Sequence, residues 1–230
     1  MYDRGQILTL QEKENILNFI YADGFMCSPI TGNRADFKFD LTSKVPGELW
    51  KIKQRIIRRE GLHDYSSYSY LGDRITFIFP GGYIPPHIDK NELDGMIHVR
   101  FNVFIQAPED CDTWYDGIRV DVRERGYVLC RSGIDRHWTG INKTMVTRIA
   151  ISYGFTLPAE KVEALYMYPL GEGTLYRRAI WLRYLATTYR NIYNFIIFKI
   201  SQQNPYAIYD ARVPFRQMLQ DSLKQFYLYQ

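Results

Sequence analysis

The chain has 230 residues, and its 46% hydrophobic content is enough to bury a sizeable core in one domain with an elaboration. A net charge of +4 is modest and argues against a nucleic-acid binder. No uncharged apolar run approaches the roughly 20 residues of a bilayer span, and the start, Met1-Tyr2-Asp3-Arg4, lacks the basic-then-apolar pattern of a signal peptide, so a cytoplasmic protein is expected.

Three scattered cysteines, Cys27, Cys111 and Cys130, form no Cys-x-x-Cys and suggest neither a disulfide framework nor a zinc site. Residues 1–158 are balanced, with 20 basic and 20 acidic groups, whereas residues 159–230 carry 9 and 5. The basic surplus thus belongs to the C-terminal part, where a change of hydrophobic period beyond Pro158 divides a domain over 1–158 from an expected helical extension over 159–230.

In chain order, Thr9-Leu10-Gln11-Glu12 is a capping box, and Ile16, Leu17 and Ile20 form an apolar stripe behind it, predicting a helix over 9–20. Phe37, Phe39 and Leu41 alternate weakly and suggest a strand among loops. Pro46 and Gly61 bracket a second helix over 46–60, with Leu49, Ile52, Ile56 and Ile57 on one face and a solvated basic face opposite. His63 to Tyr70 reads as a tyrosine-rich loop or edge strand, equally suited to a substrate groove or to plain packing.

A jelly-roll core is expected from about residue 70 to 157. The apolar run Ile75–Phe79 precedes a bend at Pro80-Gly81-Gly82 and a strand carrying His87-Ile88-Asp89. Lys90 to Gly95 is a charged loop of the kind that covers the mouth of a site. From Met96, His98, Arg100, Asn102 and Phe104 share one face, and Val99, Phe101, Val103 and Ile105 the other. That pattern fits a strand lining a polar cavity on one side and packing under helices on the other. Pro108 to Gly117 reads as turn, followed by strands at 118–122, 127–130, 137–141 and 144–155. Short strands separated by tight turns point to a double-sheet jelly roll. Beyond Pro158 the period becomes helical, with a long amphipathic helix over 174–201 and a last one from Val213 to Tyr227. These are expected to pack on the same domain or at a homodimer interface.

His87 and Asp89 are two residues apart, so a strand would point both to one face, about 7 Å apart along the backbone. A neutral imidazole and a carboxylate are two thirds of the 2-His-1-carboxylate arrangement that leaves positions open on Fe(II). Of the remaining histidines, His137 lies near the end of the strand-rich region, whereas His63 precedes it and His98 sits close to the first pair. Eleven residues beyond His137 stands Arg148, expected to face inward with Thr144, Val146, Ala150 and Ser152. A buried guanidinium needs an anionic partner, and no acid on that face supplies one.

His87-x-Asp89, His137 and Arg148, set in an all-β run, resemble the Fe(II)/2-oxoglutarate-dependent dioxygenases and their double-stranded β-helix. Gly81-Gly82-x-x-x-Pro86-His87-x-Asp89 is similar to the lead-in of the prolyl 4-hydroxylase-like branch, and Arg100 and Trp114-Tyr115-Asp116-Gly117 are similar to its next strand and turn. The run Phe77-Ile78-Phe79 lacks the tyrosine common before the Gly-Gly of that branch, and Arg148 stands where prolyl 4-hydroxylases usually have lysine. The resemblance implies Fe(II) held by His87, Asp89 and His137. It implies 2-oxoglutarate reaching Arg148 with help from Ser152, O2 as co-reactant, and Asn102 and Arg100 in cofactor or substrate contacts. The implied reaction couples decarboxylation of 2-oxoglutarate to succinate with hydroxylation of a substrate, favouring a protein or peptide side chain. The same chemistry on a small metabolite or nucleobase is the alternative, and a non-catalytic jelly-roll binding domain is the reading from another class.

Overall fold

A computed structural model describes residues 3–65, 72–91, 95–165 and 213–228. Their order is β1 (Asp3–Gln6), α1 (Leu10–Ile20), β2 (Met26–Ile30), β3 (Arg34–Phe39), α2 (Gly47–Glu60), β4 (Asp73–Ile78), β5 (Met96–Gln106), β6 (Thr113–Tyr115), β7 (Ile118–Val120), β8 (Gly126–Cys130), β9 (His137–Thr139), β10 (Arg148–Pro158), α3 (Ala159–Leu165), β11 (Val213–Pro214) and α4 (Phe215–Leu228). An eight-stranded sheet runs β1-β8-β5-β10-β4-β3-β2-β11 with antiparallel pairing throughout, and a three-stranded sheet runs β7-β6-β9.

The alternation along β5 sorts the molecule into two cores. Val99, Phe101, Val103 and Ile105 join Ile149, Ile151, Tyr153 and Phe155 of β10 and Ile75 and Phe77 of β4 in a large apolar cluster that also takes in Ile16 and Ile20 of α1 and Leu49, Ile52 and Ile56 of α2. The opposite face meets the small sheet through a lesser cluster of Phe104, Tyr115, Val120, Val128, Cys130 and Ala150. One strand pattern therefore separates a helix-covered apolar side from a polar interior, as a period of two dictates.

The helices start and stop where their ends demand it. Thr9 caps α1 with a reciprocal Thr9–Glu12 box. Gly61 ends α2 in the left-handed region at φ 60°, its N–H reaching the Ile57 carbonyl. Beneath α2, Lys53 pairs with Asp73 in a buried ion pair, and Arg55 locks α2 to α1 through Glu12.

Several expectations are corrected. The last long strand starts at Arg148 rather than Thr144, because Asn142 diverts residues 142–147 into a turn. Its Oδ1 accepts from the Thr144 N–H and hydroxyl, and its Nδ2 donates to Ile78 O and Val146 O. Thr144 and Val146 therefore do not share the inner face with Arg148. Thr113–Tyr115, read as turn, is the central strand of the small sheet. His87 and Asp89 are not on a regular strand: residues 79–91 run irregularly, with one isolated β-bridge between His87 and His137. Val213 and Pro214 extend the sheet along β2, and the last helix begins only at Phe215. Phe215 is buried against Phe77, ring centroids 4.8 Å apart. The expected 174–201 helix and the tyrosines at 68 and 70 lie outside the described residues, as do the middle residues of the 90–95 loop.

Candidate metal centre and its anion pocket

The lead-in works by backbone geometry. Gly81 has φ +76° and donates its N–H to Asn142 O at 2.8 Å. At Gly82 a Cβ would fall 2.3 Å from Asn33 O and 2.9 Å from Phe79 O, so only glycine fits. From this bend the chain crosses to β9, where His87 and His137 exchange backbone hydrogen bonds at 3.1 and 2.8 Å. Asp89 N–H then bonds Ser132 O at 2.7 Å.

These tethers bring ligand atoms of His87, Asp89 and His137 within 4.8 Å of one another. His87 Nε2 stands 3.6 Å from Asp89 Oδ1, a separation that two ligands each about 2.1 Å from one first-row dication can span. The other atoms of each ligand are engaged. His87 Nδ1 lies 2.8 Å from Pro85 O and His137 Nδ1 3.0 Å from Asp135 O. Protonated Nδ1 satisfies both carbonyls and leaves both Nε2 lone pairs for a metal, the usual orienting contact of a ligating histidine. Asp89 Oδ2 accepts from Arg100 Nε at 3.0 Å, leaving Oδ1 toward His87. Burial would raise the Asp89 carboxyl, but Arg100 first, then His137, His87 and His98, hold it well below the usual carboxylate range. Desolvation and then the neighbouring His137 lower His87 to about 4, although its side chain remains 41% exposed at the mouth. The donor set thus suits a divalent ion: one strongly ionised carboxylate and two imidazoles whose Nδ1 contacts leave Nε2 for the metal.

Behind His137 the turn is braced. Arg131 forks onto the Asp135 carboxylate at 3.0 and 2.8 Å, and the Asp135 carbonyl is the one that orients His137.

Arg148 lies deeper, only 5% exposed. Its guanidinium donates to Thr113 Oγ1 at 2.7 Å, touches Cys111 Sγ at 3.9 Å and stacks 5.1 Å from the Phe104 ring centroid. Its Nε has no partner, and among the described residues no carboxylate pairs with it. A buried, permanently charged fork left in this state calls for an anion.

Asn102 and Ser152 face each other across β5 and β10: Ser152 Oγ donates to Asn102 Oδ1 at 2.5 Å, and Asn102 Nδ2 to Tyr115 Oη at 2.9 Å. Tyr115 is the register partner of His137, so this chain lies between the triad and Arg148. Ser152 bonds Asn102, not Arg148. Arg100 stands at the triad end, six positions along β10 from Arg148 when read through its partner Gly154. Thr113 and Tyr115 were missed because a three-residue strand is too short to show a period. His98, buried with its Nε2 3.6 Å from Asp89 Oδ2, was set aside as too close in sequence to the first pair, yet it lies in the site.

No protein-family model and no curated protein matches the chain. Solved structures do share its fold. The viral collagen prolyl hydroxylase of Paramecium Bursaria Chlorella virus-1, as its 2-oxoglutarate complex, matches at TM-score 0.51 and 14% identity over 69% of this chain and 97% of that one. HygX from Streptomyces hygroscopicus, with nickel and 2-oxoglutarate bound, matches at 0.52 and 13%, over 68% and 82%. A Trichoplax adhaerens prolyl hydroxylase in complex with a hypoxia inducible factor peptide fragment matches at 0.51 and 13%, over 69% and 84%. The chain therefore has the fold of prolyl hydroxylases and of other proteins solved with 2-oxoglutarate.

Proposed function

We propose that the protein is an Fe(II)- and 2-oxoglutarate-dependent oxygenase hydroxylating a C–H bond, with a protein or peptide side chain as substrate, and that its two facing sheets form a double-stranded β-helix. The observation that carries this reading is the pairing, in one interior, of the His87/Asp89/His137 cluster with a buried Arg148 that has no carboxylate partner among the described residues. Fe(II) with 2-oxoglutarate and O2 supplies the oxidising power, decarboxylating the cosubstrate to succinate.

The chain's own residues prepare that chemistry. Pro85 O and Asp135 O hold the two imidazoles in the tautomer that presents Nε2, so no reorientation accompanies metal uptake. Arg100 keeps Asp89 ionised and reserves one of its oxygens. Arg148, steadied by Thr113 and Phe104, takes the distal carboxylate of the cosubstrate. The Ser152–Asn102–Tyr115 chain supplies a fixed polar wall between the two ends. The peptide preference draws support from the lead-in Gly81-Gly82-x-x-x-Pro86-His87-x-Asp89 and from the Trichoplax neighbour, which is bound to a peptide.

Anaerobic titration with Fe(II) and 2-oxoglutarate, followed by a succinate assay in air, tests the proposal. Wild type should bind both and slowly form succinate without substrate. His87→Ala should lose metal binding, and Arg148→Ala should keep the metal while weakening 2-oxoglutarate at least tenfold. A well-folded wild type that binds neither would sink the proposal.

A further inference from the structure

Two buried residues beside the triad each keep one nitrogen that the chemistry above does not use. Arg100 is 7% exposed and spends its Nε on Asp89, but one terminal nitrogen, Nη1, has no partner. His98 is 4% exposed, and its Nε2, 3.6 Å from the same Asp89 oxygen, also has none. Both side chains flank Asp89 Oδ2, so the two unused nitrogens lie within a few ångströms of one carboxylate oxygen of the metal cluster. Across from Arg100 on β10 stands Gly154, which puts no side chain over it.

Charge points the same way. A dication and a dianionic cosubstrate cancel, Asp89 answers only one of the guanidiniums Arg100 and Arg148, and Arg74 on the same inner face is answered by Asp36 at 3.1 Å. One positive charge is left, and the half-buried Arg34, near enough to His87 to help lower its pKa, adds to it. A donor nitrogen left without an acceptor in a dry interior costs free energy until one arrives.

We infer that the substrate carries an oxyanion, a carboxylate or a phosphate, close to the carbon that is oxidised, and that Arg100 Nη1 and His98 Nε2–H receive it. This rests on the oxygenase reading and narrows it: the preferred peptide is acidic at or beside the modified residue, and a neutral or basic one is a poor substrate. Arg148 is excluded as the receiving group because it stands six strand positions away along the inner face and is the group assigned to the distal carboxylate of 2-oxoglutarate.

The test uses the intact protein loaded with Zn(II) and saturated with 2-oxoglutarate, which occupies the Arg148 end. Sodium acetate, inorganic phosphate and neutral acetamide are titrated at constant ionic strength while the His98 ring and Arg100 Nε resonances are followed by NMR. Acetate or phosphate should give a saturable shift with millimolar affinity, acetamide none, and the tighter of the two anions tells carboxylate from phosphate. Arg100→Gln should weaken that affinity at least tenfold. If R100Q no longer holds Zn(II), His98→Gln, which leaves the Arg100–Asp89 pair in place, should weaken it at least threefold. Uptake of Zn(II) and 2-oxoglutarate with no anion response, or a response unchanged in these variants, overturns the inference alone. Failure to take up Zn(II) or 2-oxoglutarate overturns the oxygenase reading and this with it.

Discussion

Asp89 divides its two oxygens between different tasks, one turned to His87 and one held by Arg100, and neither histidine of the cluster is free to rotate because a backbone carbonyl grips its Nδ1. Affinity for a metal should therefore depend on residues that never touch it. Asp135→Ala removes the bidentate Arg131 contact that steadies the carbonyl behind His137. It should raise the Kd for Co(II) or Fe(II) by about tenfold, the usual cost of losing such an orienting partner, with far-UV circular dichroism unchanged. An unaltered Kd would mean that the pair braces only the turn. Gly82→Ala acts through the backbone: its Cβ would meet a carbonyl oxygen at 2.3 Å, so the bend must open. Urea unfolding should show a loss of about 2 kcal/mol or more, in the range expected of backbone clashes.

Among the secondary elements, α4 packs on the apolar face of the large sheet and ties it to the end of α1. Phe215 of α4 packs on Phe77 and Phe79, and Arg216 reaches back to the Tyr21 carbonyl and Asp23 at the end of α1. Phe215→Ala should cost about 3 to 5 kcal/mol, as for other fully buried phenylalanines, measurable as a drop in the denaturant midpoint. A surface-like loss under 1 kcal/mol would mean that α4 adds little to the core. The α1–α2 junction carries a pH signature. Glu12 is lowered below its ordinary value of 4.5: burial opposes this, but the Arg55 hydrogen bond and charge and the Thr9 N–H prevail. Because the folded pKa is the lower one, the Glu12 contribution is fully present above about 4.5 and fades as pH falls through the lowered value. Glu12→Gln should thus destabilise the protein at pH 7 and progressively less as the pH falls below about 4.5, as read from paired urea titrations.

Elements with a strong period were legible in the sequence. The capping box, the α2 stripe and the two-faced alternation of β5 each follow from side-chain spacing alone, and each stands where its pattern puts it. What was not legible depended on contacts distant in sequence. Asn142 delays the start of the last long strand by bonding a carbonyl on β4, and Thr113–Tyr115 becomes a strand only because β7 and β9 flank it. At the site, spacing could nominate His87, Asp89, His137 and Arg148, since those residue types are chemically rare in such a pattern. It put His98 on the polar face of β5 but not beside Asp89, and it missed the strand that carries Thr113 and Tyr115, because those places are set by contacts between segments distant in sequence.

Across the whole molecule, one sheet serves two opposed environments. Its helix side is filled with apolar side chains, whereas its inner side holds Arg148, Arg100, Asn102, Ser152, Asp36 and Arg74. Buried charge of that density does not stabilise an empty interior, because each desolvated group must be answered within the fold or by a ligand. The apo protein should accordingly fall short of its full stability and recover it in two separable steps. A metal ion at 100 times its Kd adds about 2.7 kcal/mol by mass action, and 2-oxoglutarate at a similar excess adds a comparable second increment only when the metal is present. Thermal unfolding with Zn(II), with 2-oxoglutarate and with both should show this order in the wild type. Arg148→Ala should retain the first step and lose the second, while His87→Ala loses both. A second step that survives in R148A would place the distal carboxylate elsewhere in the interior and leave that buried guanidinium without its proposed partner.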